Sequence, residues 1–188
     1  MQLDMGSHVR TSDDKDAGKV KRIIFDGDSM TVRQFVVDEG IFFAEERMVD
    51  IGHVDRIDDD HTVHLKLTEA QVDGLPPYVH EEVMPVAIGD PYARAEVHNV
   101  VVHAGSVPWD LLVLTHGTEV YDSNGKHIGH LDEIVYEDAG HASCFIVDSG
   151  FIFTHDVKVP VTAVKSMTHD RVELHITAEE AEETSRAS

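Results

Sequence analysis

Cysteine is almost missing from this sequence. Cys144 stands alone among 188 residues, so no internal disulfide and no cysteine-based zinc framework can form. A lone thiol also agrees with a reducing compartment. Basic residues are scarce: 15 Lys and Arg face 36 Asp and Glu, a formal charge of −21 with histidine neutral. A chain so short of cations has little with which to displace counterions from nucleic acid or to hold an anionic membrane surface. No apolar run approaches the roughly 20 residues that cross a bilayer. The opening MQLDMGSHVR lacks the basic start and apolar middle of a signal peptide. The expectation is a cytoplasmic protein with neither nucleic acid nor membrane as partner. The G-x-S-x-G elbow, the P-loop and the G-x-G-x-x-G turn are also missing. Ser, His and Asp are too plentiful for their co-occurrence to nominate a triad. No catalytic residue and no cofactor is therefore assigned, and the chain reads as a non-enzyme. What it does have is a hydrophobic fraction of 41%, enough for a core, in a length that suits one medium domain or two small ones.

The sequence repeats itself. At a shift of 111 residues, Val9, Ser12, Lys15, Gly18 and Ile23 meet Val120, Ser123, Lys126, Gly129 and Ile134. At 110, Phe35, Val37, Asp38, Gly40, Phe43, Val49 and Val54 meet Phe145, Val147, Asp148, Gly150, Phe153, Val159 and Val164. At 109, Val63, Leu65 and Thr68 meet Val172, Leu174 and Thr177. The two slips fall around FDGDSMT and RIDDDHT, where Gly, Asp and Ser predict turns that tolerate deletion. Two similar domains follow from the duplication.

Within each unit the pattern has period two. Val63, Leu65 and Leu67 share one face against His64 and Lys66, and Val172, Leu174 and Ile176 do the same against Glu173 and His175. Short strands broken by DDKDAG, FDGD, DEG and IDDD predict a meandering all-β domain. Thr68 precedes Gln71 by three positions, and Thr177 precedes Glu180 by three, so each last strand runs into a capping box and a helical turn. Gly74 and Pro76-Pro77 stop the first helix. The second, TAEEAEETSRAS, reads as a polar, fraying tail. The expected organisation is a first repeat over 1–77, a partly ordered linker over 78–117, and a second repeat with its tail over 118–188. VHNVVVH and LLVLTHG are apolar enough to be strands of that linker, and Trp109 is expected to pack on a barrel.

The repeat resembles the PRC-barrel family. In the first unit the likeness rests on Ser12-Asp13-Asp14 through Gly18-Lys19-Val20, Ile23-Ile24-Phe25-Asp26, Phe35-Val36-Val37 up to Gly40, Val54, and Thr62-Val63-His64-Leu65. In the second it rests on Asp122-Ser123-Asn124-Gly125-Lys126 with Gly129, Val147 to Gly150, Phe151-Ile152-Phe153, Val157-Lys158-Val159-Pro160, and Val172 to Thr177. The resemblance implies an all-β fold of two small PRC-type β-barrels and carries no catalytic residue to transfer. Relatives in a photosynthetic reaction centre and in a ribosome-maturation factor work beside a transmembrane helix or among RNA, and neither setting matches this chain.

Fourteen histidines are the oddest feature. His127 and His130, or His98 and His103, could join a divalent metal with Asp132, Glu133 or Glu96. In a regular strand, however, a spacing of three puts His127 and His130 on opposite faces, and no metal ligand is assigned. YDSNGKHIGHLDE starts like a calcium loop but has Lys126 and His127 where an oxygen ligand and a glycine are needed, which leaves a turn through Asn124-Gly125. Asp58-Asp59-Asp60 reads as a solvated turn, and Cys144 as an ordinary strand residue. Phe42-Phe43 and Phe151-Ile152-Phe153 follow the turn glycines Gly40 and Gly150, so one side chain of each doublet faces outward. Phe42, Phe43, Ile152 and Phe153 are thus the interface candidates. The function expected is protein interaction or adaptor work, with a homodimer as the first partner. A metal- or pH-responsive protein using surface histidines is the alternative.

Overall fold

The computed structural model describes residues 1–38, 45–79, 83–88, 96–101, 107–108, 110–137, 140–148 and 155–187, with the backbone course alone for 83–88 and 96–101. The first repeat contains β1 (Gln2–Asp4), β2 (His8–Arg10), β3 (Asp16–Asp26), β4 (Thr31–Val37), β5 (Arg47–Asp50), β6 (Val54–Ile57), β7 (Val63–Leu65) and α1 (Glu69–Asp73). A separate antiparallel pair follows, β8 (Val83–Ile88) with β9 (Glu96–Val101). In the connecting segment lies β10 (Leu112–Leu114), and the second repeat contains β11 (Glu119–Tyr121), β12 (His127–Tyr136), β13 (Ala142–Asp148), β14 (Val157–Pro160), β15 (Val164–Met167), β16 (Arg171–Leu174) and α2 (Ala178–Ala187).

Both repeats fold to one topology, as the duplication requires. The strand order is β5-β4-β3-β2-β7-β6 in the first and β14-β13-β12-β11-β16-β15 in the second. The first sheet strand pairs parallel with the last in each, Val9 beside Val63 and Val120 beside Val172. His8 pairs with Lys19 and Glu119 with His130, the same register at the 111 shift, so Gly18 and Gly129 occupy equivalent places. Both take positive φ, 95° and 154°. At Gly129 a Cβ would collide with the Asp148 carbonyl, so glycine alone lets β12 cross β13 this closely. Gly40, Gly150 and Trp109 lie outside the described residues.

The two barrels are joined by exchanged strands. β1, which precedes the first barrel, pairs antiparallel with β12 of the second, setting Leu3 against Ile134. β10, which precedes the second barrel, pairs with β3 of the first, setting Leu114 against Ile23. The two pairings are related by the repeat shift of 111, and Gly6 and Gly117 recur at that shift too. The strand LVL of the segment between the barrels is therefore a strand of the first barrel's sheet. Leu3, Leu114, Ile23 and Ile134 are all fully buried. Their side chains belong to one apolar core that runs through both barrels, with Phe25 and Phe145 edge to face at 5.7 Å between ring centres. Backbone bonds add to the seam, the Ala142 N–H donating to the Met30 carbonyl at 2.8 Å.

The polar period fails at Ile23-Ile24-Phe25, which are all buried although adjacent strand residues point to opposite faces. Ile24, Val36 and Met48 form a second small core outside the first sheet, roofed by Tyr78, Val107 and Leu111 of the connecting segment. The C-terminal helix also departs from expectation. Ala178 and Ala181 are buried, and the Lys158 N–H of β14 donates to Ser185 Oγ at 2.9 Å, so docking on β14 orders what its polar sequence alone would leave fraying.

Candidate functional site

Two histidine–carboxylate groups and two open sheet edges are the chemically notable places among the described residues. The first group lies on the seam between the barrels. Asp4 of β1 and Glu133 of β12 are direct cross-strand partners, and His61 reaches them from the β6–β7 turn, held there by a left-handed backbone with φ 64°. His61 Nδ1 lies 3.9 Å from Asp4 Oδ2 and 3.9 Å from Glu133 Oε1. That is too long for hydrogen bonds, and the nitrogen is shielded from solvent without a hydrogen-bond partner. The Glu133 side chain is 14% exposed and that of Asp4 27%. Glu133 Oε2 accepts from Gln2 Nε2 at 3.1 Å. Next along β12, Asp132 pairs with His116 Nδ1 at 3.0 Å.

Three carboxylates here are shifted toward the protonated form. Burial raises the pKa of Asp4, with Asp132 adding repulsion against the opposing pull of His61 and His116. Burial also raises Glu133, where Asp4 and Asp132 repel and His61 and Gln2 counteract. Asp132 is raised by burial as well, partly offset by His116 and reinforced by Asp148 and Asp156.

The second group is Glu119, His127 and His130, whose donor atoms lie within 4.8 Å of one another. Strand parity predicts opposite faces for the two histidines, yet their ring centres are 5.1 Å apart. The cause is a bulge: Val120 pairs with Gly129 but Tyr121 with His127, so Ile128 is an extra residue and the parity of β12 inverts between the histidines. Glu119 is already engaged, accepting from Tyr121 Oη at 2.7 Å. The Arg171 guanidinium stacks 3.7 Å from the Tyr121 ring centre.

The sheet edges differ in kind. Residues 76–78 close the outer side of β5, with the Met48 N–H donating to the Pro76 carbonyl and the Tyr78 N–H to the Glu46 carbonyl. Helix α2 covers β14. No strand pairs with the outer side of β6 or β15 among the described residues, and these edges carry exposed Asp55, Arg56, Lys165 and Ser166. A cleft of about 240 Å³ runs beside β15 between the barrels, lined by Gly27, Met30, Leu112, Val164, Lys165 and Met167. Another of about 440 Å³ borders β6, lined by Ser12, Asp55, Arg56, His64 and Lys66.

Other sequence candidates fall elsewhere. Asp58 binds Arg56 and His64, at 3.0 and 2.7 Å, inside the β6–β7 turn. Asn124-Gly125 forms a turn closed by the Asp122 N–H donating to the Lys126 carbonyl. Cys144 is a half-buried residue of β13. Phe42, Phe43, Ile152 and Phe153 lie outside the described residues.

Two sheets of identical strand order, duplicated in one chain and sharing a core, define a tandem small-barrel protein. The PRC-barrel domain matches it twice, over residues 5–69 and 116–181. The chain belongs to the PRC-barrel family and contains two copies of its domain, a domain that is in general non-catalytic. No curated protein matches the chain. Among the described residues, no helix is long and apolar enough to cross a membrane.

Proposed function

We propose that this protein is a non-enzymatic adaptor of the cytoplasm, which binds protein segments along the open edges of β6 and β15 and pairs with a second copy of itself. One observation carries the reading: among the described residues the β5 or β14 edge of each barrel is covered, while no strand pairs with the equivalent β6 or β15 edge, which borders a cleft. An open edge offers a row of backbone donors and acceptors to an incoming extended segment, and the neighbouring cleft takes alternate side chains. The charges at Arg56 and Lys165 limit indiscriminate edge pairing. Because the exchanged strands fix the barrels in one core, the two edges are held at a set separation, which favours a partner engaging both. The apolar doublets at Phe42-Phe43 and Ile152-Phe153 remain docking candidates in this reading.

The test is capture from the native source on the immobilised full chain. A defined protein partner should be retained, and the double variant R56E with K165E should lower its recovery about tenfold, a loss of about 1.4 kcal/mol, with circular dichroism unchanged. Equal recovery on the variant, or no partner at all, overturns the reading.

A further inference from the structure

The Asp4–Glu133 pair is unusual in its placement. Cross-strand neighbours on one face are the closest side-chain pairs in a sheet, and like charges directly opposite destabilise it. Here the pair sits where β1 joins a foreign barrel, at the seam that holds the molecule together. Among the described residues no lysine or arginine is bonded to either carboxylate; Glu133 receives a neutral hydrogen bond from Gln2. His61 Nδ1 stands off at 3.9 Å from an oxygen of each and hydrogen-bonds to neither. A buried polar atom without a partner, facing two carboxylate oxygens across a gap of that size, calls for something between them.

The duplicated half of the molecule shows what the gap replaces. There the β15–β16 turn docks directly on the exchanged strand, His169 Nδ1 accepting from the Val113 N–H at 2.9 Å. In the first half the matching turn approaches β1 through His61 and stops short. The positions equivalent to Asp4, Glu133 and His61 are Thr115, Arg22 and Asp170, a set with a fixed cation and no histidine, so a metal would have one such site per chain.

We propose that Asp4, His61 and Glu133 form a divalent-metal site that clamps the second barrel's β12 to the first barrel's β1 and β6–β7 turn, taking a first-row transition ion such as Zn²⁺. The donor atoms lie within 4.8 Å of one another. Bonds of about 2.0–2.2 Å in a tetrahedral sphere set ligand atoms roughly 3.3–3.5 Å apart, within reach of a small carboxylate rotation. An imidazole with two carboxylates suits zinc and its neighbours better than magnesium or calcium, which take oxygen ligands. Three protein ligands leave a fourth position to water. Asp132 beside Glu133 adds negative potential, with His116 as its partner. The Glu119–His127–His130 group is the weaker candidate because Glu119 already accepts from Tyr121, whose ring carries the Arg171 guanidinium.

The experiment uses the untagged full chain, stripped with EDTA and titrated with ZnCl₂ alone by calorimetry, with thermal unfolding alongside. His61→Asn keeps a residue that tolerates the left-handed backbone, and Glu133→Gln keeps the shape of β12. Both should lower the affinity of the tightest site at least tenfold and abolish the zinc-induced rise in Tm. His127→Ala should bind within about twofold of the parent. Absence of a tight stoichiometric site, undiminished affinity in His61→Asn and Glu133→Gln, or a loss confined to His127→Ala would each overturn the assignment.

Discussion

Asp122 and Asp13 bond helix N-termini from different places in the repeat. Asp122 is 5% exposed; one of its oxygens accepts from the N–H groups of Asn124 and Lys126, and the other from the Ala178 N–H at the start of α2. In the first barrel two residues share that work. Thr11 Oγ1 accepts from the Lys15 N–H, and Asp13 accepts from Thr11 and from the Glu69 N–H that opens α1. Burial pushes the Asp122 pKa up, but the backbone N–H bonds outweigh it and hold the carboxyl below its ordinary value. A depressed carboxyl stabilises the fold fully above the unfolded value of about 3.9 and less as pH falls through the native one. Asp122→Asn should therefore cost about 1–2 kcal/mol at pH 7. Denaturant unfolding at a series of pH values should show that difference shrinking below about pH 4, and a difference independent of pH would count against the charge. Features of this local kind were legible in the sequence. The three-residue spacing of Thr177 and Glu180 alone predicts the bond from the Thr177 N–H to Glu180 Oε2 at 2.8 Å. The meeting of His127 with His130 was not legible, because a bulge reverses strand parity and spacing arguments assume regular parity.

At the scale of elements, β1 is three residues long and could not persist unpaired. Its stability lies in Leu3, which enters the shared core against Ile134, as Leu114 enters it against Ile23. The strands of each barrel were readable from alternation and from the repeat, but not the parallel pairing of the first sheet strand with the last, which a plain meander lacks. The exchange was not, since the repeat is strong only from Val9 and Val120 onward, and Leu3 with Gly6 matches Leu114 with Gly117 across dissimilar neighbours. Strand pairing between distant segments leaves no local periodicity to read; only the persistence of the 111 shift pointed to it. Emptying a buried leucine site costs about 2–5 kcal/mol. Because the core is continuous, Leu3→Ala should lower a single calorimetric transition of the whole chain. Two resolved transitions, one at the parent temperature, would mean that the barrels unfold independently.

The whole molecule carries a charge of −21, and that charge opposes any contact between copies. Repulsion between exposed charges is screened over about 8 Å at physiological ionic strength and over about 3 Å at 1 M salt. Backbone pairing along an edge and apolar burial are little weakened by the same salt, and the hydrophobic term is strengthened by excluded anions such as sulfate. The proposed pairing of two copies through β6 or β15 therefore has a definite salt signature. A two-fold arrangement closes the contact at the edge it uses. Light scattering on the full chain should show mass rising from one chain toward two as salt increases from about 0.05 to 1 M. The R56E with K165E variant shifts the net charge of each chain by four further negative units, so it should stay single-chain at salt concentrations where the parent already pairs. Its dimer should need more salt to form. A single-chain mass at every salt and at high protein concentration would remove self-association from the function and leave the open edges to other partners.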